Sequence, residues 1–517
     1  MTFEIVFVLL SLLGMMAALI ADKMRPGMVL FSVVVLFLCA GILTPKEMLE
    51  GFSNKGMITV ALLFLVSEGI RQSGTLGQVI KKLLPQGKTT VFKAQLRILP
   101  SVAFISAFLN NTPVVVIFAP IIKHWAKSVK LPATKFLIPL SYVTILGGIC
   151  TLIGTSTNLV VHGMILEAGY EGFTMFELGK VGIFIAIAGI IYLFIFSKRL
   201  LPDARPDTAV PDEEVEEGEK LHRVEAVLGA RFPGINKKLS DFNFQRHYGA
   251  EVKEIKTRNG QRYVNHLEDV VLREGDTLVV MADDTFIPTW GESSVFVLLT
   301  NGNDPDTSGK KKRWLALILL VLMIVGATVG ELPATKEMFP DIKLDMFFFV
   351  CITTIIMAWT NIFPARKYTK YISWDILITI ACAFAISKAM VNSGVADSVA
   401  KFIIGLSDDY GPHVLLAMVF IITNLFTELI TNNAAAALAF PLALSISAQL
   451  GVSPTPFFVV ICMAASASFS TPIGYQTNLI VQGIGNYKFT DFVRIGLPLN
   501  IITFLISIIL IPLIWNF

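Results

Sequence analysis

Two short polar stretches lie inside apolar sequence and match each other at a spacing of 320 or 321 residues. They are Ser106-Ala-Phe-Leu-Asn110-Asn111-Thr112 and Thr427-Glu-Leu-Ile-Thr431-Asn432-Asn433, and a proline follows each of them eight residues later. The same spacing pairs a second set of blocks, Thr151, Gly154 and Thr157-Asn158-Leu159 with Thr471, Gly474 and Thr477-Asn478-Leu479. Agreement in separate blocks indicates an internal repeat, an architecture common among secondary transporters.

The composition places this repeat in a membrane. Of the 517 residues, 54% are hydrophobic and 16% are charged, whereas soluble chains usually carry about 25% charged residues. Residues 201–313 hold 21 of the 39 acidic and 16 of the 42 basic residues, which leaves 18 acidic and 26 basic residues elsewhere. The net charge of +3 therefore combines an acidic soluble segment with a basic membrane part, and it gives no support to nucleic-acid binding.

Windows long enough to cross the bilayer, about 20 residues, predict five spans on each side of the soluble segment. They are 3–21, 27–44, 57–74, 135–165, 180–197, 314–331, 344–362, 373–392, 455–484 and 493–515. Two more apolar stretches, 93–122 and 411–449, are interrupted by Asn and Thr and predict re-entrant hairpins. Because each repeat has an odd number of spans, the second repeat is inverted in the membrane relative to the first. The predicted fold is an α-helical polytopic membrane protein with an inverted repeat of five spans plus one re-entrant hairpin each, and with a small cytoplasmic α+β domain between the repeats.

The predicted organisation is a first transmembrane repeat at 1–199, a linker at 200–219, the α+β domain at 220–300, a linker at 301–312 and a second repeat at 313–517. Basic residues are retained on the cytoplasmic side of a membrane. Most basic loop clusters fall on one side if the N-terminus is outside and residues 200–312 are cytoplasmic. We therefore expect a multi-pass protein of the plasma (inner) membrane, with the acidic loops at 47–50 and 167–171 external.

A hairpin tip at membrane depth leaves backbone N–H and C=O groups without helical partners, which is tolerated where they line a wet cavity or bind a ligand. The N-terminus of a half-helix favours an anion, and carbonyl and amide oxygens suit a hard cation such as sodium. Each polar tip is paired with a glycine-containing break, at 154–158 and at 474–478. The alternative is that Asn and Thr only bond between packed helices, and the presence of matching sites in both repeats favours binding.

These stretches resemble the divalent anion:sodium symporter family, which contains sodium-coupled dicarboxylate, citrate and sulfate carriers. The family motif is Ser-Asn-Thr at each tip. The resemblance implies one sodium site at Ser106, Asn110, Asn111 and the carbonyl of Gly154, and another at Thr427, the carbonyl of Ile430, Asn432 and the carbonyl of Gly474. It implies that the anion lies between the tips, in contact with Asn110, Asn111, Thr112, Thr155, Thr431, Asn432, Asn433 and Tyr475.

This chain departs from the motif, because Asn110-Asn111-Thr112 and Thr431-Asn432-Asn433 replace Ser-Asn-Thr and the Pro-Pro pair that follows the motif in the family is not kept at either tip. Asn110, Asn433 and Tyr475 are bulky and narrow the expected cavity. A narrower cavity favours a compact oxyanion over a four-carbon diacid. The function implied is sodium-coupled symport of a small divalent anion, a sulfate-like oxyanion or a dicarboxylate, by an elevator-type movement of a core against a homodimeric scaffold in the lipid bilayer. Sodium is then the coupling ion, and no enzymatic activity is expected.

Other functions stay open at the sequence level. An arsenite carrier or a sodium/proton antiporter of related fold would use Glu428 as a titrating group, whereas structural pairing is the other role for this residue. A regulator-gated channel is suggested by the soluble segment alone, and the chain lacks a selectivity-filter run of the potassium type.

The soluble segment shows a strand at 222–228, a helix beginning near Lys238, a strand at 250–256, a hairpin turn at Asn259-Gly260 and a strand at 277–282. Gly234-Ile-Asn-Lys-Lys-Leu-Ser-Asp and Leu272-Arg-Glu-Gly-Asp276 resemble the C-terminal lobe of potassium-conductance regulators. The resemblance implies a cytoplasmic module that dimerises, with a possible small regulatory ligand on residues 220–300. The alternative is a passive spacer between the repeats.

Overall fold

A computed structural model shows how the chain folds. It describes residues 3–21, 23–85, 87–203, 222–229, 231–257, 261–283, 286, 290, 295–300, 310–405 and 411–517. Most of these residues are helical, and one small sheet lies between the two helical halves.

Apolar sequence forms the helices of the first half, and glycine, proline and polar clusters end them. They are α1 (Phe3–Ala21), α2 (Pro26–Cys39), α3 (Pro45–Glu50), α4 (Lys55–Gln72), α5 (Thr75–Leu83), α6 (Val91–Ser106), α7 (Asn111–Ser128), α8 (Leu137–Gly148), α9 (Ser156–Glu167) and α10 (Gly179–Leu200). The predicted hairpin at 93–122 is α6 and α7. The predicted span at 135–165 is α8 and α9, separated by the glycine-containing break.

The second half follows the lobe, which contains the short helix α11 (Phe244–Tyr248), and has a similar order of helices. It consists of α12 (Lys310–Gly330), α13 (Pro333–Met338), α14 (Met346–Trp359), α15 (Tyr368–Tyr371), α16 (Trp374–Asn392), α17 (Val395–Gly405), α18 (Gly411–Leu429), α19 (Asn432–Leu450), α20 (Thr455–Ser466), α21 (Gln476–Gly485) and α22 (Phe489–Ile514). Helices α18 and α19 form the second hairpin. Helices α20 and α21 are the second broken span.

Eight helices within the described ranges are long and apolar enough to cross a membrane. They include both arms of the second hairpin, and shorter apolar helices such as α2, α8, α14 and α20 accompany them. These features confirm a polytopic helical membrane protein with an inserted sheet region.

Several pairs of membrane helices pack closely together. Helix α16 packs against α2 and against α19, and α4 packs against α14 and α9. Helix α8 packs against α6, and α10 packs against α22. Each hairpin's second arm packs against the broken span of the other repeat, α7 against α21 and α19 against α9. The two repeats therefore share one centre.

The inserted lobe is a five-stranded antiparallel sheet in the order β3-β2-β4-β1-β5. Its strands are β1 (His222–Leu228), β2 (Glu251–Lys256), β3 (Arg262–Tyr263), β4 (Thr277–Ala282) and β5 (Phe296–Thr300). The aromatic cluster of Phe232, Phe242, Phe244, Tyr248 and Phe296 fills its core, which is separate from the membrane core.

Three details of this region differ from the sequence predictions or lie beyond the description. The helix predicted near Lys238 is a single 3-10 turn, Leu239–Asp241, followed by the five-residue α11, because Asn243 caps a new helix start there. Helix α12 begins at Lys310, inside the predicted linker. The predicted turn at Asn259-Gly260 and most of both linkers lie outside the described residues, although β2 and β3 pair on either side of the turn.

Candidate functional site

The two hairpin tips are short non-helical connections between helices. Helix α6 ends at Ser106 and α7 starts at Asn111, whereas α18 ends at Leu429 and α19 starts at Asn432. Asn110 makes no side-chain cap on α7, whereas the Thr431 hydroxyl accepts a hydrogen bond from the Ala434 amide. The first backbone N–H groups of both helices have no carbonyl partner within their own helix. At the second tip, the amides of Asn433 and Ala434 bond instead to the side chains of Asn432 and Thr431.

The two broken spans use the same hydrogen bonds at the same repeat positions. Asn158 Nδ2 donates to the carbonyl of Thr151 at 2.8 Å, and Asn478 Nδ2 donates to the carbonyl of Thr471 at 3.2 Å. The hydroxyl of each of these threonines accepts from the amide of the glycine three residues later. Each hydroxyl also donates to a hairpin carbonyl, that of Ala107 or that of Glu428. The breaks are therefore folded loops tied to the tips.

Gly154 and Gly474 allow the breaks to approach the hairpins. A Cβ atom on Gly474 would lie under 3.0 Å from both the carbonyl oxygen of Thr427 and Oγ of Ser468. A Cβ atom on Gly154 would lie under 3.0 Å from Gly148, at the end of α8, and 3.0 Å from the carbonyl oxygen of Ala107 at the first hairpin tip. Any larger residue at either glycine would push the break away from its hairpin.

The structure brings together three residues of the first predicted cation site. Ser106 Oγ donates to Asn111 Oδ1 at 2.7 Å. Gly148 packs closely against both Asn111 Oδ1 and the carbonyl oxygen of Gly154. Ser106, Asn111 and Gly154 therefore meet around one glycine, whereas no described side-chain hydrogen bond draws Asn110 into this group.

In the second predicted cation site, the structure brings Thr427 and Gly474 together. The carbonyl of Thr427 lies against Gly474, and Ser468 Oγ is 3.5 Å from that carbonyl oxygen. The Thr427 hydroxyl is used elsewhere, because it donates to the carbonyl of Ala465 at 2.6 Å. Asn432 Oδ1 accepts from the Asn433 amide at 3.0 Å. Ile430 is buried at the tip, with its amide bonded to Phe426.

Two hydroxyl groups meet where the repeats join. The Tyr475 hydroxyl lies 3.0 Å from Thr155 Oγ1, and these two residues occupy equivalent repeat positions. Asn111 Nδ2 donates to the same Tyr475 hydroxyl at 2.6 Å. One phenolic oxygen of the second break therefore contacts both the tip and the break of the first repeat.

A pair of matching contacts flanks this centre. Thr112 Oγ1 donates to Gln476 Oε1 at 3.2 Å, and Ser156 Oγ donates to Asn433 Oδ1 at 3.2 Å. In each pair, the second residue of one hairpin helix contacts the first residue of the other repeat's break helix. Thr431 caps α19 and makes no described side-chain contact across the repeats.

The site residues are uncharged, and the nearby Glu428 has structural partners. Its carboxylate accepts from the amides of Ser470 and Thr471, both at 2.9 Å, and from Asn500 Nδ2 at 2.7 Å. These contacts fix the second break to α18 and α22. Across the described part of the chain, no cluster of three or more His, Cys, Asp or Glu could hold a metal ion.

Sequence reasoning missed Ser468, Ser156 and Gln476. Ser468 is the repeat equivalent of Gly148, so extending the spacing of 320 residues would have placed it at the second cation site. Ser156 and Gln476 are also equivalent to each other. One is a hydroxyl and the other an amide, so the sequence does not suggest a shared role. That role is indicated by the contact that each makes with the hairpin tip of the opposite repeat.

The lobe contacts both repeats, at α7 of the first and α21 of the second. Lys123 Nζ, on α7, lies 3.0 Å from both carboxylate oxygens of Glu225 on β1, and Lys256 Nζ lies 3.4 Å from one of them. Burial alone would raise the pKa of the Glu225 carboxyl, but the two lysines outweigh it and lower this pKa to about 2. Thr277 and Gly275 of the lobe pack against Gly483 and Leu479 of α21.

Comparison with known proteins identifies the family. The profile of CitMHS, described as citrate transporter, matches residues 16–443 and again residues 338–516. The chain belongs to this citrate transporter family. It is a transporter and not an enzyme, which confirms those two sequence predictions.

Individual relatives support the same class. A transporter of Synechocystis sp. is 29% identical over 94% of this chain and 93% of its own length. The probable sodium/sulfate cotransporter 3 of Chlamydomonas reinhardtii is 22% identical over 93% of this chain and 85% of its own length. Sodium/sulfate cotransporter 2 of that alga is 31% identical over 54% of this chain and 31% of its own length. The resemblance to the divalent anion:sodium symporter family is thereby confirmed.

Proposed function

We propose that this protein is a secondary active transporter that couples the entry of sodium to that of a small divalent anion. The observation that carries the proposal is the meeting of amide and hydroxyl groups from both repeats at the Tyr475 hydroxyl. The sodium/sulfate cotransporter names of two relatives support the same ions.

The charge of the site explains why a cation is needed. A divalent anion loses hydration when it enters a protein site, and partial positive charges at helix N-termini compensate only part of that cost. The site residues add no positive charge of their own. Sodium ions on either side of the anion would supply it, so that the anion and the cations bind together.

The oxygens around each glycine suit sodium. Ser106, Asn111 and the Gly154 carbonyl would hold one ion, with Asn110 beside them. The carbonyls of Thr427, Ile430 and Gly474 and the amide of Asn432 would hold the other. Carbonyl, amide and hydroxyl oxygens are hard ligands and suit hard cations. The anion would bind between them at Asn111, Thr155, Asn432 and Tyr475, with the flanking Asn110, Thr112, Thr431 and Asn433.

Transport would proceed by an elevator-type movement. The hairpins, the broken spans, α10 and α22 would form the moving core. Helices α2, α4, α14 and α16 would form a scaffold, which we propose is homodimeric. The site lies within the core and not between core and scaffold, so a rigid movement can carry it intact.

The proposed location is the plasma (inner) membrane, with the N-terminus outside and the lobe cytoplasmic. Contacts of the lobe support this orientation, because they join the lobe to loops and helix ends that carry or adjoin Lys and Arg. Asn236 Nδ2 donates to the carbonyl of Lys23, Arg231 donates to the carbonyl of Ile372 beside the basic run 366–370, and Glu225 binds Lys123. The acidic loops contact different helix ends from those that the lobe contacts. Asn54 contacts Glu167 there, and Lys55 pairs with Asp345.

We further propose that the lobe at 220–300 regulates transport. It contacts the core at α7 and α21 and the scaffold ends at Lys23 and Ile372, so its position can favour or oppose movement between them. A passive spacer would have no need of an ion pair that binds Lys123.

Counterflow uptake in proteoliposomes tests the proposed function. Labelled sulfate, succinate and citrate are offered to vesicles preloaded with the same unlabelled anion, with sodium or with potassium on both sides. We expect exchange of a divalent anion in sodium and little in potassium. Equal exchange in both salts would contradict the sodium coupling.

A further inference from the structure

Tyr475 and Thr155 occupy equivalent positions, yet their side chains differ greatly in size. Each residue precedes the first residue of a break helix, α9 or α21, and the two hydroxyl groups lie 3.0 Å apart. Thr155 places its hydroxyl there with a short side chain. Tyr475 brings a six-carbon ring into the same region, and the whole residue is only 7% exposed.

The ring reaches across the centre of the site. Tyr475 belongs to the second repeat, but its hydroxyl accepts from Asn111 Nδ2 of the first repeat at 2.6 Å. The phenol therefore fills space beside the first tip that a second threonine, with its shorter side chain, would leave open.

The donors around this hydroxyl converge on one point. The Asn111 amide and the Thr155 hydroxyl both lie within hydrogen-bonding distance of the Tyr475 hydroxyl. A tetrahedral oxyanion has all its oxygens around one central atom and can accept from converging donors. A four-carbon dicarboxylate has its two charged groups at opposite ends of a chain and needs a longer space.

We infer that Tyr475 is the specificity-determining residue of the anion site, which limits the substrate to a compact tetrahedral dianion such as sulfate. The ring excludes four-carbon dicarboxylates, and the hydroxyl donates to the bound oxyanion. The inference rests on the proposed function, because it assigns a substrate class to that same site.

The test measures sodium-driven uptake of labelled sulfate and labelled succinate by the full-length protein in proteoliposomes. Unlabelled sulfate, selenate, thiosulfate and succinate serve as competitors. For the unaltered protein we expect the tetrahedral anions to compete and succinate to have no effect. Equal uptake of sulfate and succinate would overturn the inference and leave sodium-coupled anion transport standing. Sodium-independent uptake of both would overturn the proposed function itself.

Two substitutions separate the ring from the hydroxyl. Tyr475→Thr restores the residue of the equivalent position, and we expect it to admit succinate. Tyr475→Phe keeps the ring, so we expect succinate to stay excluded and sulfate affinity to fall about tenfold or more, because a hydrogen bond to a charged group is lost. Tyr170→Phe, on an exposed loop, is the matched control and should transport normally.

The competition experiment uses the unaltered protein, so its result does not depend on whether a variant folds. If Tyr475→Thr binds sodium and still excludes succinate, the ring does not set the size limit and the inference is wrong. If Tyr475→Phe binds sulfate as tightly as the unaltered protein, the hydroxyl does not contact the anion and that part of the inference is wrong.

Discussion

Asn111 Nδ2 donates a hydrogen bond to the Tyr475 hydroxyl at 2.6 Å, across 364 residues of sequence. The first residue begins the second arm of one hairpin, and the other lies in the broken span of the opposite repeat. This contact places the two halves of the candidate site within a single hydrogen-bonded group. Changes on either side should therefore affect the binding of cation and anion together.

Asn111→Ala and Asn432→Ala should each weaken sodium-dependent transport severely. Each substitution removes an amide oxygen at membrane depth that a hard cation would use. Loss of one such contact costs about 1.5–3 kcal/mol, so we expect the sodium concentration for half-maximal uptake to rise about tenfold or more.

Uptake against sodium concentration measures this effect. Asn392→Ala removes an amide that bonds Ile42 and Glu47 outside the site, and it should transport normally. Undiminished uptake by both site variants would remove these residues from the cation sites.

Gly474→Ala and Gly154→Ala should disrupt the breaks. The added methyl group would lie under 3.0 Å from hairpin or break atoms in both cases. Overpacking of this kind costs about 1–3 kcal/mol, so we expect loss of sodium-dependent uptake and a lower melting temperature in detergent. Gly14→Ala has open space around the new methyl group and is the control. Full activity of Gly474→Ala would show that the break does not need its close approach to Thr427.

Lys123→Met and Glu225→Gln should change transport rate through the same contact. We expect the double variant to resemble either single one, because each substitution already breaks the ion pair between α7 and the lobe. The contact is partly buried, and its loss should cost between about 1 and about 3 kcal/mol. Lys127→Met, on an exposed position of the same helix, is the control. Strictly additive effects of the two substitutions would contradict the coupling.

The pH dependence of this contact follows from the lowered pKa of Glu225. The carboxylate has an ordinary pKa of 4.5 and a pKa of about 2 when the lobe is docked. Its stabilisation is therefore complete above about pH 4.5 and is lost as the pH falls toward 2. We expect the rate difference between Glu225→Gln and the unaltered protein to be constant from about pH 5.5 to pH 8. A difference that disappears within that range would contradict the assigned charge state.

Replacing residues 212–300 with a flexible linker should leave sodium-dependent anion binding intact and alter the rate of transport. The lobe contacts α7 at Lys123 and α21 at Leu479 and Gly483, and none of these three residues belongs to the proposed site. If the shortened protein folds but no longer binds the anion in sodium, the lobe belongs to the transport site.

Single-cysteine labelling tests the orientation. We expect an impermeant thiol reagent added to intact cells to label cysteines introduced in the loop 44–54 and to leave those at 200–312 unlabelled. The opposite pattern would reverse the topology.

The sequence was sufficient to predict the spans, both hairpins and the two breaks, because apolar length and repeated polar blocks determine them. It did not predict the contacts of Thr112 with Gln476 or of Ser156 with Asn433, since each joins residues of different chemistry from opposite repeats. Ser468 was missed because its counterpart is a glycine. In the lobe, β3 is too short to leave a pattern, and one capping residue, Asn243, divides the predicted helix.

Simultaneous measurement of labelled sodium and labelled sulfate entering the same proteoliposomes tests the central claim most directly. With an inward sodium gradient, we expect the two ions to enter together with at least two sodium ions for each sulfate, and Asn111→Ala to reduce both fluxes in parallel. Sulfate entry with no accompanying sodium would contradict the account.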